Sequence, residues 1–304
     1  MKVYLNGKFV DASRARLSVF DASLQHAVGL FETFRAFGGE VFRLQAHIER
    51  LITSARQLGL SDRLRPGPLA EAVRATLEKN NLTDARIRLT VTGGDLGPIA
   101  PATARRSGKK HQPGVLIIAT EPTVYPESLF TDGAPVVIAD PKANPFDPLA
   151  SHKSLNYWVR LQTLAQAAAA KAAESLWFMV TNHLCGGAVS NALLIKDGQL
   201  YSPIVRGEEP EGSIPSPVLP GVTRAAVIEL AESMDLPIHR KMLTINDVLE
   251  ADELMLTNSS WLILPVVRVE KETIGDGKVG PITQQLRQRL LQTIADECDL
   301  EPNS

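Results

Sequence analysis

The chain has 304 residues, of which 44% are apolar and 22% charged, and its formal net charge is −2. Such a length suits two domains of about 100–200 residues better than one small core. The near-neutral balance offers no basic field for nucleic acid or an anionic membrane. The two cysteines, Cys185 and Cys298, lack CxxC spacing, which argues against a disulfide framework or a zinc site. No apolar run approaches the roughly 18 residues of a membrane span. The N-terminus reads as a strand rather than a signal peptide, so a cytoplasmic protein is expected.

In chain order, KVYLNGKFV reads as a β-hairpin on an Asn-Gly turn, and GLFETFRAFGGEVFRL as a second one with Gly38-Gly39 at its tip. Leu44, Ile48, Leu51, Ile52, Ala55 and Leu58 recur at helical spacing. PGPLAEAVRATLEKNN reads as another helix, with proline near its start and asparagines after its end. ARIRLTVTGG and GVLIIAT read as strands. The basic cluster Ala104–Lys110 reads as a solvated loop or an anion-binding one. Glu121–Pro135 is Pro-rich and aperiodic, which suggests a linker. The expected division is 1–121 as an N-terminal α/β domain, 122–135 as linker and 136–304 as a C-terminal domain. In the latter a strand APVVIAD and a broken loop NPFDPLASHK precede a long helix expected from Ser154. Strands and helices then alternate to a final helix, ITQQLRQRLLQTIADE.

Several residues could carry chemistry, each with a bland alternative. Lys153, where a Pro-rich loop meets a helix, is a surface lysine or a Schiff-base former. Arg50, beside His47, is a helix-surface charge or a phosphate clamp. In LPGVTR a helix opens at Val222 and Thr223, whose N–H groups are either ordinarily capped or available to an anion. Ser259 and Ser260 in LTNSSW make a turn or touch a phosphate. Arg86 and Arg88 alternate with Ile87 and Leu89, so both point to one face of a strand, toward solvent or a carboxylate.

Taken in order, GLFETFRAFGGEVFRLQAHIERLITSARQLGL, HKSLNYW, AVSNALLIKDGQLYSP, VLPGVTR, LEADELMLTNSSWLILPVVRVE and GPITQQL resemble the class IV aminotransferases over nearly the whole chain. These are fold type IV, two-domain α/β (α+β) enzymes of the branched-chain aminotransferase, D-amino-acid aminotransferase and aminodeoxychorismate lyase group. The resemblance implies pyridoxal 5'-phosphate (PLP) between the domains of a homodimer, with an amino acid and a 2-oxo acid as substrates. It implies Lys153 as Schiff-base former and proton shuttle, and Arg50, Val222, Thr223, Ser259 and Ser260 around the phosphate. Tyr157, one helical turn past the lysine, becomes a partner for the cofactor's phenolic oxygen. Phe31 lines the substrate pocket, Glu32 stands near the lysine, and Arg88, with Arg86, binds substrate. Gly93 stands where D-amino-acid enzymes carry an arginine, which favours a branched-chain-like substrate.

One departure matters. The family's segment runs Glu-Gly-small-x-x-Asn, and counting back from Asn191 lands on Gly186, where that glutamate would pair with the pyridine nitrogen. Three readings stay open: a transaminase or lyase that compensates, an enzyme of altered or slow chemistry, or a PLP-independent relative. Cys185 could serve as neutral partner, but strand alternation points it away from position 186 unless a bulge at the glycine pair re-aims it.

Overall fold

The computed structural model describes residues 1–95 and 112–300, and the basic cluster Ala104–Lys110 lies outside them. The chain divides into two compact units. The first comprises Met1–Thr123, His152–Asn156 and Glu297–Ser304; the second comprises Val124–Ser151 and Tyr157–Asp296.

In the first unit, β1 (Lys2–Leu5) and β2 (Lys8–Asp11) form the expected hairpin, with Asn6 and Gly7 both at positive φ, as a type I′ turn demands. Then come α1 (Ala22–His26), β3 (Gly29–Phe37), β4 (Glu40–Val41), α2 (Leu44–Gln57), α3 (Pro66–Asn80), β5 (Ala85–Thr92) and β6 (Val115–Thr120). The strands make one antiparallel sheet in the order β2-β1-β6-β5-β3-β4. Alternation decides its two faces. Leu30, Phe34, Ile87 and Leu89 turn toward the apolar stripes of α2 and α3, including Ile48, Leu51, Val73 and Leu77. Each fully buried aliphatic side chain contributes about 1.5–3 kcal/mol. Pro66 sits at the start of α3, and Asn81 ends it in the left-handed conformation.

The helix expected from Ser154 begins only at Trp158. The preceding residues are extended because the strand edge holds them: Phe31 N–H donates to the Lys153 carbonyl at 2.8 Å and Leu155 N–H to Gly29 at 3.0 Å. Tyr157 is therefore the N-cap of that helix and not a helical turn beyond the lysine.

The second unit contains α4 (Ser128–Thr131), β7 (Ala134–Ile138), α5 (Trp158–Ala169), β8 (Glu174–Phe178), β9 (Leu184–Gly187), β10 (Asn191–Lys196) and β11 (Gln199–Pro203). It continues with α6 (Val222–Ser233), β12 (Ile238–Lys241), α7 (Ile245–Leu249), β13 (Glu253–Asn258), β14 (Leu262–Val269), β15 (Glu272–Thr273) and α8 (Pro281–Glu297). The Glu121–Pro135 stretch thus includes α4 and the first residues of β7. The mixed sheet runs β12-β11-β10-β13-β14-β7-β8-β9, with β15 on β14. Leu176, Leu184, Leu194, Leu256 and Leu264 share one core, while Trp177, Met179, Cys185, Ala188, Val205 and Val218 share a smaller one.

Candidate active site

On the first unit the outer face of β3 and β5 carries Phe31, Arg86 and Arg88, opposite in direction to the helix-facing Ile87 and Leu89. The Phe31 ring has the Arg88 guanidinium 3.8 Å from its centroid and Lys153 Nζ at 4.9 Å. Lysine, arginine and aromatic ring therefore form one group, as a substrate pocket with a cationic wall requires. Neighbouring His152 is a strut, its Nδ1 2.9 Å from Ser54 Oγ.

Glu32 points the other way, into the core. Its carboxylate accepts Arg50 Nε at 2.8 Å and Nη2 at 2.7 Å and lies 2.9 Å from His47 Nδ1. Burial would raise its pKa, but the Arg50 charge and the His47 contact outweigh burial and hold it at about 2. Burial in turn lowers the pKa of His47. Arg50 is thus aimed by Glu32 beside His47, and Glu32 serves the arginine more directly than the lysine.

On the second unit, α6 begins directly after Gly221 with no side-chain cap. Its first N–H groups, on Val222 and Thr223, point out of the helix at the positive end of its dipole. Gly221 permits a close approach: a Cβ there would lie 1.9 Å from Asn191 Oδ1. Ser259 and Ser260 occupy the turn after β13, where Asn258 Oδ1 accepts the N–H groups of Ser260 and Trp261 at 2.8 and 3.0 Å. Tyr157 lies under the Arg160 guanidinium, 5.8 Å from its ring centroid.

The glycine pair is a rebuilt piece of backbone. Trp177 pairs with Gly186, but Phe178 pairs with Leu184, so Cys185 is the extra residue of a β-bulge. The bulge turns Cys185 to the Trp177 side, breaking the alternation that would have aimed it away. Burial raises its thiol to about 12 despite Arg160 and Lys142 nearby. Gly186 has φ +139, and a Cβ there would meet the Ser190 carbonyl oxygen at 2.7 Å. Two charged groups that sequence reasoning passed over flank the turn. Arg160 donates to the Ala188 carbonyl at 2.7 Å and lies 4.8 Å from the Trp177 centroid. Glu174, fully buried, accepts the N–H groups of Ser175, Ala188 and Val189 and the Ser190 hydroxyl. A lone carboxylate opening a short strand that ends Leu-Trp-Phe was its signal in the sequence.

Each unit by itself carries groups that fit a phosphate-bearing aldehyde: on the first, an amine on Lys153 beside cations for substrate carboxylates, and on the second, an uncapped helix end for a phosphate. The fold is that of type IV PLP enzymes. It superposes on Escherichia coli branched-chain amino acid aminotransferase with a TM-score of 0.83 at 26% identity, covering 99% of this chain and 97% of that one. It also superposes on 4-amino-4-deoxychorismate lyase from Pseudomonas aeruginosa with a TM-score of 0.80 at 27% identity, covering 98% and 100%. Residues 29–269 match the family model for amino-transferase class IV. A putative branched-chain-amino-acid aminotransferase of Methanocaldococcus jannaschii is 36% identical over 95% of both chains. A D-alanine aminotransferase of Staphylococcus haemolyticus is 28% identical over 94% of this chain and 95% of its own. The chain belongs to the class IV aminotransferases. It is a PLP-dependent transaminase. Among the described residues, no helix is long and apolar enough to cross a membrane and no metal-binding cluster occurs.

Proposed function

We propose that the protein moves an amino group between a branched-chain-like amino acid and a 2-oxo acid. The observation that carries this is the grouping of Lys153, Phe31 and Arg88 on one strand face, in a chain 36% identical to a protein named as a branched-chain aminotransferase. When bound, PLP supplies an electron sink for the carbanion left as Cα loses its proton. Lys153 takes that proton and returns it, acting as general base and acid. Arg88, with Arg86 on the same face, binds the distal carboxylate of a dicarboxylate 2-oxo acid, and Phe31 supplies the apolar wall. Arg50, the N–H groups of Val222 and Thr223, and the hydroxyls of Ser259 and Ser260 hold the phosphate. Tyr157 donates to the phenolic oxygen.

Position 186 itself supplies no carboxylate and Cys185 remains a neutral thiol, while the Glu174 carboxylate beside the glycine pair is engaged by the N–H groups of Ser175, Ala188 and Val189 and the Ser190 hydroxyl. The pyridine nitrogen therefore lacks an anionic partner from position 186. The reading includes a cytoplasmic location and a homodimer; large apolar side chains left exposed at Phe20 (64%) and Trp158 (72%) support the association of two copies.

Lys153→Ala should abolish both the visible absorbance of the bound cofactor and turnover; a colourless wild-type protein that PLP cannot reconstitute would refute the reading. The lyase likeness supports a second reading, β-elimination. Single-turnover reactions with a panel of amino acids separate the two. Conversion to the amine form of the cofactor means transfer, whereas pyruvate release without it means elimination.

A further inference from the structure

The turn between β9 and β10 touches both elements assigned to the phosphate. Asn191, 6% exposed, donates through Nδ2 to the Leu219 carbonyl at 2.9 Å. Its Oδ1 lies against Gly221, the residue from which α6 springs. On the other side, Asn258 Nδ2 donates to the Val189 carbonyl at 3.4 Å, and the same Asn258 fixes the Ser260 and Trp261 N–H groups. The turn itself is anchored from beneath by Glu174, which accepts hydrogen bonds from Ala188, Val189 and Ser190. All of these residues lie in the second unit.

We propose that Asn191 is a positioning residue for cofactor phosphate, setting the spacing between the α6 N-terminus and the Ser259–Ser260 turn, with Glu174 as its anchor. Neither residue touches the phosphate. Asn191 acts by restraining the chain entering α6, so that the Val222 and Thr223 N–H groups converge with the serine hydroxyls. Backbone N–H groups bind an anion well only when their directions are fixed in advance. A side-chain amide that donates to one end of the 219–221 segment while packing on the other fixes that segment without occupying the anion's place. The proposal rests on reading α6 as the phosphate end of the site.

The test uses the full chain stripped of cofactor and titrated separately with PLP and with pyridoxal, which lacks the phosphate, following quenching of tryptophan fluorescence. The ratio of the two dissociation constants measures the phosphate preference. Asn191→Ala should lower that preference about tenfold, the size expected for loss of one restraining hydrogen bond, while pyridoxal affinity stays within about twofold. Asn258→Ala should act in the same direction through the other arm, and it carries the test if Asn191→Ala does not fold. An unchanged preference in the folded variant, or equal loss for both ligands, would overturn the positioning role, because a merely structural defect weakens both alike. A wild-type chain with no preference for PLP over pyridoxal would instead overturn the phosphate reading itself, and this proposal with it.

Discussion

Glu32 meets Arg50 side-on, through two nearly parallel hydrogen bonds of 2.8 and 2.7 Å, inside the first unit. The carboxylate is 1% exposed and the guanidinium 10%, so water does little to screen the pair. Removing the carboxylate would take two charge-assisted hydrogen bonds from the guanidinium.

Glu32→Gln should accordingly destabilise the protein by about 3–5 kcal/mol in urea titrations, because it removes the carboxylate charge from a buried, doubly hydrogen-bonded ion pair. A change below about 1 kcal/mol would mean that solvent reaches Arg50.

Acid should expose the same pair. The folded Glu32 pKa of about 2 lies below its ordinary 4.5, so the stability it contributes is complete above pH 4.5 and drains away as pH falls toward 2. His47, whose pKa burial lowers from 6.5, adds a loss that begins as pH drops below 6.5. Glu174 works in the opposite sense: burial raises its pKa, so it costs stability as pH rises past 4.5. Below pH 4.5 the unfolding free energy of Glu32→Gln should fall less steeply than that of wild type. Parallel curves would contradict the assignment.

Gly186→Glu restores the carboxylate that the family resemblance implies, yet the backbone opposes it. With φ at +139 and the Ser190 oxygen 2.7 Å from any Cβ, the substitution should cost about 1–3 kcal/mol and lower Tm by several degrees. Turnover should not rise. A more active variant with an unchanged Tm would show that the turn accepts a side chain without strain.

Arg88→Leu should raise KM for a dicarboxylate 2-oxo acid about 10–100-fold, from loss of a charge-assisted hydrogen bond, and alter kcat much less. Steady-state kinetics with dicarboxylate and monocarboxylate acceptors test this; equal effects on both would remove Arg88 from distal-carboxylate recognition.

Cys185 should resist alkylation. With the thiol raised to about 12, only about one molecule in ten thousand carries a thiolate at pH 8. Iodoacetamide should therefore label it at that pH only after denaturation, which mass spectrometry reads directly. Rapid labelling of the native protein would place it in a different environment.

Much of the first unit was legible because its signals are local. Alternation along ARIRLTVT sorted Arg86 and Arg88 from Ile87 and Leu89, and the Asn-Gly pair marked a hairpin. The segment around Lys153 was misread for the opposite reason. Its helix-like run yields to hydrogen bonds with Gly29, which accepts, and Phe31, which donates, both more than a hundred residues away in sequence, and no local pattern encodes that pairing. Glu174 stayed hidden likewise, since its partners are backbone N–H groups contributed by a later turn. Gly186 was noticed as an omission, whereas the bulge beside it is a property of strand pairing and leaves no trace in residue order.

The lysine-bearing segment is pinned on both sides, by Phe31 N–H on the Lys153 carbonyl and by Leu155 N–H on Gly29, with His152 braced on Ser54. Its root is held by these bonds, which leaves the four-carbon arm as the part with torsional freedom. A base on such a tether sweeps one side of whatever lies before it. With Lys153 in its proposed role, protons leave and return from that side alone, so each orientation of the substrate yields one mirror-image form, and the handedness of the product is set by the anchoring of the Lys153 backbone together with the way the substrate is held.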